Sequence, residues 1–245
     1  MTVEGAWRPQ YGTRWAGAGR DGLDLVKVGE LTFLTSLEQV RALRVHGRVQ
    51  DDSAVFGCEE LEFLELYTGA RNPLRCAALK RLEVLSVDAR PGLETIQGLE
   101  RLRELALYTY AGDDLAFLAG LPGLWGLALA EQGAPLRSLA GVQQTPALRR
   151  VNLQVGAGLE LSPLAGLAEL QEVILISPAP LPAGNRLDLE PLAACPDLRE
   201  VQLHGLGTVA GLESLRGLER LRRVLLSDTV PEHVSGDLPF QVMVL

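Results

Sequence analysis

The sequence predicts an α/β solenoid, a stack of short strand-and-turn units that share one parallel sheet and one continuous core. Two observations lead to this fold class. Leucine accounts for 49 of the 245 residues and recurs in phase along most of the chain. Aromatic residues make up only 5%, so the core is built from aliphatic side chains. Leucine at this density and regularity indicates repeated units rather than one irregular globule.

The first element of each unit is a short strand. Pairs of aliphatic residues of the Leu-x-Leu type alternate with period two, which sends both side chains to one face of a strand. Successive pairs begin 20 to 28 residues apart. The nine pairs are Leu43/Val45, Leu64/Leu66, Leu85/Val87, Leu105/Leu107, Leu127/Leu129, Val151/Leu153, Val173/Leu175, Val201/Leu203 and Val224/Leu226.

The second element is a short helical turn ahead of each pair. Further apolar residues precede the pair at steps of three, which places them on one face of a 3₁₀ or α turn. Over six columns and nine units, 51 of 54 positions are apolar, and the exceptions are Asp52, Pro73 and Thr145. A polar residue thirteen positions before the pair predicts hydrogen bonds to the free N–H groups of the turn. In five units this residue is Asp51, Asn72, Asp114, Ser138 or Asp188.

This pattern resembles the bacterial leucine-rich repeat proteins, particularly the internalin-like class with repeats of about 22 residues. Asp114–Leu129 and Ser162–Leu175 carry the pattern well, and the resemblance covers residues 23–229. It implies a right-handed, curved stack of about nine repeats, with the sheet on the concave face and the turns on the convex face. The class usually has Asn five residues after the first strand leucine. This chain has none there, so we expect its loops to satisfy their backbone groups in other ways.

A solenoid exposes its core at both ends unless further residues close it. We therefore expect an N-terminal cap at residues 1–22, the solenoid at residues 23–229 and a C-terminal capping strand within residues 230–245. Trp7, Tyr11 and Trp15 would cover the first leucines, and the alternative is that they form a separate recognition peptide. Phe240–Leu245 is predicted to pair with the last repeat. The proline-rich insertion Ser177–Asn185 predicts a loop.

Residues capable of catalysis or metal binding are few. Cys58, Cys76 and Cys195 fall in leucine columns, where a thiol acts as a small hydrophobic side chain. His46 and His204 lie seven repeats apart, too far to share a metal ion. No hydrolase, nucleotide-binding or metalloprotease motif is present. We expect no enzyme activity, no metal and no cofactor.

Two further groups receive structural interpretations. The acids of the Asp51–Asp52 pair are expected in solvated loops or at the start of turns, because no calcium-loop spacing accompanies them. Glycines recur seven residues before five of the pairs, and we attribute them to tight packing of the convex turns. They are Gly57, Gly98, Gly120, Gly166 and Gly217.

The charge and hydropathy of the chain limit its partners. A net charge of −8 argues against nucleic acid and against an anionic membrane surface, and it suits a basic protein partner. No apolar run is long enough for a signal peptide or a membrane span. With only three cysteines, a reducing cytoplasmic location is expected. We expect a monomer or a weak dimer.

The candidate binding surface is the concave face. Side chains before, between and after each pair point away from the core, and in the family that this chain resembles this face usually binds proteins. Tyrosine and tryptophan are favoured interface anchors, although some could pack on one another or under loops. The candidate residues are Arg44, His46, Phe63, Glu65, Tyr67, Asp88, Glu104, Tyr108, Tyr110 just beyond a strand, and Trp125 at the start of another. Ile174, Ile176 and Leu225 form a second, apolar candidate that could be a dimer surface.

The sequence thus predicts a non-catalytic module that binds a protein partner of unknown identity through its concave face. The first alternative is an immunity or inhibitor protein whose acidic face neutralises a basic toxin or nuclease. The second alternative is an enzyme, which would need a convergent polar cluster in a pocket.

Overall fold

The strands form one open, parallel sheet. A computed structural model describes residues 22–26, 29–37, 39–130, 135–179, 181–182, 184–232 and 236–245, so the predicted cap at 1–22 lies almost wholly outside the described residues. Neighbouring strands in the sheet follow chain order, except that β9 pairs with β10 off the main path. The strands are β1 Gly22–Val26, β2 Ala42–His46, β3 Phe63–Tyr67, β4 Val84–Asp88, β5 Glu104–Tyr108, β6 Gly126–Ala130, β7 Arg150–Gln154, β8 Glu172–Ile176, β9 Arg186–Asp188, β10 Glu200–Ala210, β11 Arg223–Pro231 and β12 Gln241–Val244.

The helical turns between the strands are all of the 3₁₀ type in the described part of the chain. The sequence predicted either 3₁₀ or α turns, and the structure shows the former. None of the helices within the described ranges is long and apolar enough to cross a membrane. The turns are Thr32–Ser36, Ser53–Gly57, Cys76–Ala78, Leu93–Ile96, Ala116–Leu118, Val142–Gln144, Ser162–Leu164, Glu190–Ala194 and Leu212–Gly217.

The core is a continuous stack of the predicted columns. Register places Leu43 beside Leu64, Leu64 beside Leu85, and Leu85 beside Leu105. All nine pairs are buried, and they belong to one apolar cluster that runs from Leu31 to Phe240. Each fully buried leucine contributes roughly 1.5–3 kcal/mol through removal of its surface from water. The predicted leucine-rich repeat solenoid is confirmed.

The predicted turn caps are present in four of the five repeats. The side chains of Asp51, Asp114, Ser138 and Asp188 each accept a hydrogen bond from the backbone N–H two residues later, at 2.8–3.1 Å. Asn72 differs, because its amide donates to Asp52 instead. These bonds satisfy N–H groups that have no partner inside a short turn.

Asp52 contradicts the expectation of a solvated acid, because its side chain is fully buried. Arg90 and Thr68 both donate to its carboxylate, and Arg90 also donates to the carbonyl of Ala70. Arg90 occupies a position where the family usually has Asn. At another such position, Thr229 Oγ1 accepts the N–H of Leu206 at 3.0 Å. The loops therefore satisfy their backbone groups with other side chains, as expected.

The C-terminal strands are longer than the sequence predicted. Beyond a register shift after His204, β10 continues through residues 207–210 and pairs with β9 on one side and with β11 on the other. β9 follows the proline-rich insertion; among the earlier described repeats, the segment ahead of a turn forms one isolated parallel bridge, between Leu136 and Val155. At the end of the sheet, β12 pairs in parallel with β11, which places Val242 beside Val224 and Val244 beside Leu226. Val242 packs against the core, whereas Val244 is 61% exposed.

The recurrent glycines are not explained by tight packing. A Cβ atom at Gly57, Gly166 or Gly217 would have nothing within 4 Å. Gly98, Gly120 and Gly166 instead have φ near +83°, a region that disfavours side chains. Backbone conformation, rather than crowding, accounts for glycine at those three positions.

Candidate functional site

The concave face carries three rows of side chains that run across the strands. Neighbouring strands pair in register, so equivalent residues of successive repeats stand side by side. From β2 to β5, the first row is Ala42, Phe63, Val84 and Glu104, the middle row is Arg44, Glu65, Ser86 and Ala106, and the third row is His46, Tyr67, Asp88 and Tyr108. Eight of the ten predicted site residues therefore lie on four adjacent strands.

Glu65 is the centre of an ionic group on β1, β2 and β3. Arg44 Nε lies 3.1 Å from Glu65 Oε2, and His46 Nε2 lies 2.8 Å from Glu65 Oε1. Arg44 also approaches Asp24, with 3.6 Å between Nη1 and Oδ2. Glu65 is buried, while His46 is partly exposed. Arg44 and His46 thus hold the carboxylate in a fixed position on the face.

Tyr67 and Tyr108 form the central aromatic pair. Their strands are two apart, yet the ring centroids lie 4.7 Å from each other at an interplanar angle of 85°. The Tyr67 hydroxyl hydrogen-bonds Ser86 Oγ on the strand between them. The His46 ring packs edge-on against Tyr67, with centroids 5.1 Å apart. The small Ser86 side chain leaves the space above β4 in which the two rings meet.

Phe63 is not the exposed side chain of the concave face that the sequence predicted. It is buried and packs with Ala42 and Val84 in a cluster separate from the main core. Glu104, in the same row, is also buried, whereas Asp88 in the third row is partly exposed. In this half of the face, the third row is the most accessible.

Tyr110 lies in the loop after β5 and does not join the tyrosine pair. Its ring packs against Phe117, with centroids 4.9 Å apart, and its hydroxyl donates to the carbonyl of Asp114 at 2.8 Å. Burial raises the pKa of the Tyr110 phenol, and the nearby Asp113 and Asp114 carboxylates add to this. Tyr110 therefore holds a loop, which is the alternative that the sequence left open for some of the aromatic residues.

Trp125 stands at the edge of the sheet where the strands begin. The guanidinium carbon of Arg150 lies 5.7 Å from its ring centroid, within cation–π range. Trp125 lines an open groove of about 640 Å³ together with Arg101, Arg103 and Arg149. It thus belongs to a different surface from Tyr67 and Tyr108.

The second apolar candidate is only partly a surface. Ile174 is 4% exposed, while Ile176 and Leu225 are half-buried. Ion pairs of the first row flank it: Arg150 lies 3.6 Å from Glu172, and Arg223 lies 2.7 Å from Glu200. Ile174 is therefore wrongly predicted as an exposed contact.

Groups that could perform chemistry are dispersed. Cys58, Cys76 and Cys195 are buried and free, and desolvation raises the pKa of each thiol. Within the described ranges, no three His, Cys, Asp or Glu side chains are placed to hold a metal ion. A second groove, of about 870 Å³, lies along the turns Ser162–Leu164 and Glu190–Ala194. Neither groove is lined by a cysteine or a histidine.

Comparison with known proteins gives structural matches only. No protein-family model and no curated protein matches the sequence. An internalin, inlF, from Listeria monocytogenes is 19% identical with a TM-score of 0.67; the match covers 87% of this chain and 62% of the internalin. A leucine-rich repeat protein from Leptospira interrogans is 15% identical with a TM-score of 0.57, over 86% of this chain and 66% of that one. The chain has the leucine-rich repeat fold. The plant peptide hormone receptor RGFR1, solved in complex with RGF2, is 17% identical with a TM-score of 0.58, over 86% of this chain and 38% of the receptor.

One polar residue on the leucine-rich repeat face is more buried than its place between two strand leucines indicates. Asn152 in β7 occupies the middle row and is 7% exposed. Its position between two strand leucines was visible in the sequence, but its burial was not. That burial depends on Ala128 and Ile174, which flank it in register on β6 and β8.

Proposed function

We propose that this protein binds a protein partner through the concave face of β2–β6, with Tyr67 and Tyr108 as anchoring side chains. The observation that carries the proposal is the edge-to-face contact of the two rings on the outward face of the sheet. Tyrosine buries a large area with few rotatable bonds, which makes it a favoured anchor at interfaces.

The support around the pair strengthens this assignment. Ser86 bonds the Tyr67 hydroxyl, and His46 packs against the Tyr67 ring. Side chains that are already fixed lose little conformational entropy on binding, so more of the contact energy appears as affinity. One structure of similar fold, the plant receptor RGFR1, was solved in complex with RGF2, which supports a binding role for a protein of this fold.

The proposed partner carries basic groups. Among the described outward side chains of β1–β5, four are acidic and one is an arginine, Arg44. The acids are Asp24, Glu65, Asp88 and Glu104. This excess of acid, with the net charge of −8, favours an immunity or inhibitor protein for a basic toxin or nuclease as the second candidate. For such a partner, the association rate should fall as ionic strength rises.

The test combines capture with a matched pair of variants. The immobilised chain captures proteins from an extract of its source cells, and mass spectrometry identifies them. Calorimetry then compares the wild type with Tyr67→Ala/Tyr108→Ala, which should bind the purified partner at least about tenfold more weakly. Arg149→Ala, on the sheet edge, is the control and should bind normally. Equal affinity for the tyrosine variant and the wild type, with both chains folded by circular dichroism, would overturn the proposal.

A further inference from the structure

The open groove at the edge where β5, β6 and β7 begin exists because small residues interrupt a row of long side chains. In the column that contains Arg101, the next two repeats carry Gly123 and Ala147, and all three residues line the groove. Leu102 is buried, whereas Arg101 and Arg103 on either side of it are exposed. The volume of about 640 Å³ lies in the range of sites that hold a short ligand segment.

Arg101 and Arg103 lack the acidic partners that other arginines of this edge have. Those partners come from neighbouring repeats, and the pairs are Arg41–Glu62, Arg81–Glu60, Arg149–Glu169 and Arg220–Asp197. Within the described ranges, no carboxylate forms an ion pair with Arg101 or Arg103, not even that of Glu83, which also lines the groove. The described part of the chain therefore leaves two positive charges in the groove uncompensated.

Arg103 is held in place although it has no acidic partner. Its Nη1 donates to the carbonyl of Gly123 at 3.0 Å, and its guanidinium occupies the place where a Cβ atom of residue 123 would stand. This contact uses one N–H group of the guanidinium and leaves the others for a ligand. Trp125 also lines the groove, and no described residue accepts its indole N–H. The groove therefore presents N–H donors and positive charge, and it suits a ligand with negatively charged acceptors.

We propose that this groove binds a short acidic segment of a protein partner, whose aspartate or glutamate carboxylates contact Arg101 and Arg103. A guanidinium matches a carboxylate through two parallel hydrogen bonds, and arginine and tryptophan are enriched at protein interfaces. The Trp125 ring adds apolar surface beside these charges, and Arg150 packs over it. The groove lies apart from the concave face, so this inference goes beyond the proposed function.

A protein segment fits this groove better than a nucleic acid does. A nucleic acid is held by a row of unpaired basic groups along its backbone, but the flanking Arg81 and Arg149 are neutralised by Glu60 and Glu169. The net charge of −8 also repels a long polyanion, whereas a short segment interacts mainly with the groove itself. Because Arg149 already has its acid, the carboxylate contacts are assigned to the two arginines of the preceding wall.

An NMR titration of the isotope-labelled, full-length chain with triglutamate, blocked at both ends, tests the proposal at low ionic strength. We expect saturable shifts of the Trp125 indole N–H and the Gly123 amide, and no such shifts with triglutamine. Arg101→Gln/Arg103→Gln should weaken the binding of triglutamate by about fivefold or more. Gly123→Ala keeps both charges but displaces the Arg103 guanidinium, and it should also weaken binding.

The matched control is Arg220→Gln/Arg222→Gln, which removes two exposed arginines from the same two columns of the last repeat and changes the net charge equally. It should bind triglutamate as the wild type does. The proposal is overturned if triglutamate produces no shifts, or if the two double variants bind it equally well. Shifts with trithymidylate but not with triglutamate would overturn it in favour of a nucleic acid. The experiment needs no partner of the concave face, so its failure leaves the proposed role of Tyr67 and Tyr108 standing.

Discussion

Arg90 Nη2 lies 2.9 Å and 2.8 Å from the two carboxylate oxygens of Asp52, a residue 38 positions earlier in the chain. Thr68 and Asn72 each donate to the same carboxylate at 2.8 Å. Asp52 is fully buried, and the Arg90 side chain is nearly so. The pair therefore joins the loops of three successive repeats through one desolvated charge.

Removing Asp52 should be costly. Asp52→Ala leaves the buried Arg90 charge without its counter-ion, and we expect the free energy of unfolding to fall by roughly 3–5 kcal/mol. Urea denaturation at pH 7, followed by circular dichroism, measures this loss. Glu169→Ala is the matched control, since it removes an acid from the exposed Arg149–Glu169 pair and should cost less than about 1 kcal/mol. Similar losses in the two variants would contradict the assignment.

Gly92 should be intolerant of alanine because of its conformation and its surroundings. Its φ is +89°, and an added Cβ would lie 2.3 Å from the carbonyl oxygen of Leu74. We expect Gly92→Ala to lower the free energy of unfolding by more than about 1 kcal/mol. Gly57→Ala, where a Cβ meets nothing within 4 Å, should change it by less than that. Equal melting temperatures for the two variants would show that the turn before Leu93 adapts.

The repeating part of the fold could be predicted because it depends on local sequence patterns. Each strand and turn follows from apolar spacing within about 20 residues, and stacking reproduces the same packing in every repeat. Asp52 occupies a position where most repeats have leucine, and no local pattern in the sequence predicts its ion pair with Arg90. The lengthening of β10 and β11 was missed for a similar reason, because it depends on β9, which the insertion introduces.

The candidate site was predictable as a face but not as an arrangement of side chains. Alternation along the strands identified Tyr67 and Tyr108 as outward residues. Their contact depends on Ser86 being small enough to let the rings meet above β4, which requires the register of three strands. Tyr110 follows its strand, where alternation no longer determines the direction of a side chain, so its packing against Phe117 could not be predicted.

Cys76 should make stability fall at alkaline pH. Burial raises the pKa of its thiol from 9.0 to about 12, so the folded chain holds the proton more tightly than the unfolded chain. The contribution is fully present below pH 9 and is lost as the pH rises towards 12, with a slope of up to about 1.4 kcal/mol per pH unit. Urea denaturation between pH 8 and 10.5 should show a steeper decline in the wild type than in Cys76→Ala. Parallel declines would contradict this.

His204 should make stability fall at acid pH. Burial lowers the pKa of His204 below 6.5, and the Asp228 carboxylate partly opposes this. Because the unfolded chain then binds the proton more readily, the stabilising contribution is present above pH 6.5 and is lost as the pH falls through the folded-state value. NMR titration of the imidazole should place the His204 pKa below 6.5, and Asp228→Asn should lower it further. A His204 pKa at or above 6.5, or one indifferent to Asp228→Asn, would mean that the ring is more hydrated than its place on β10 implies.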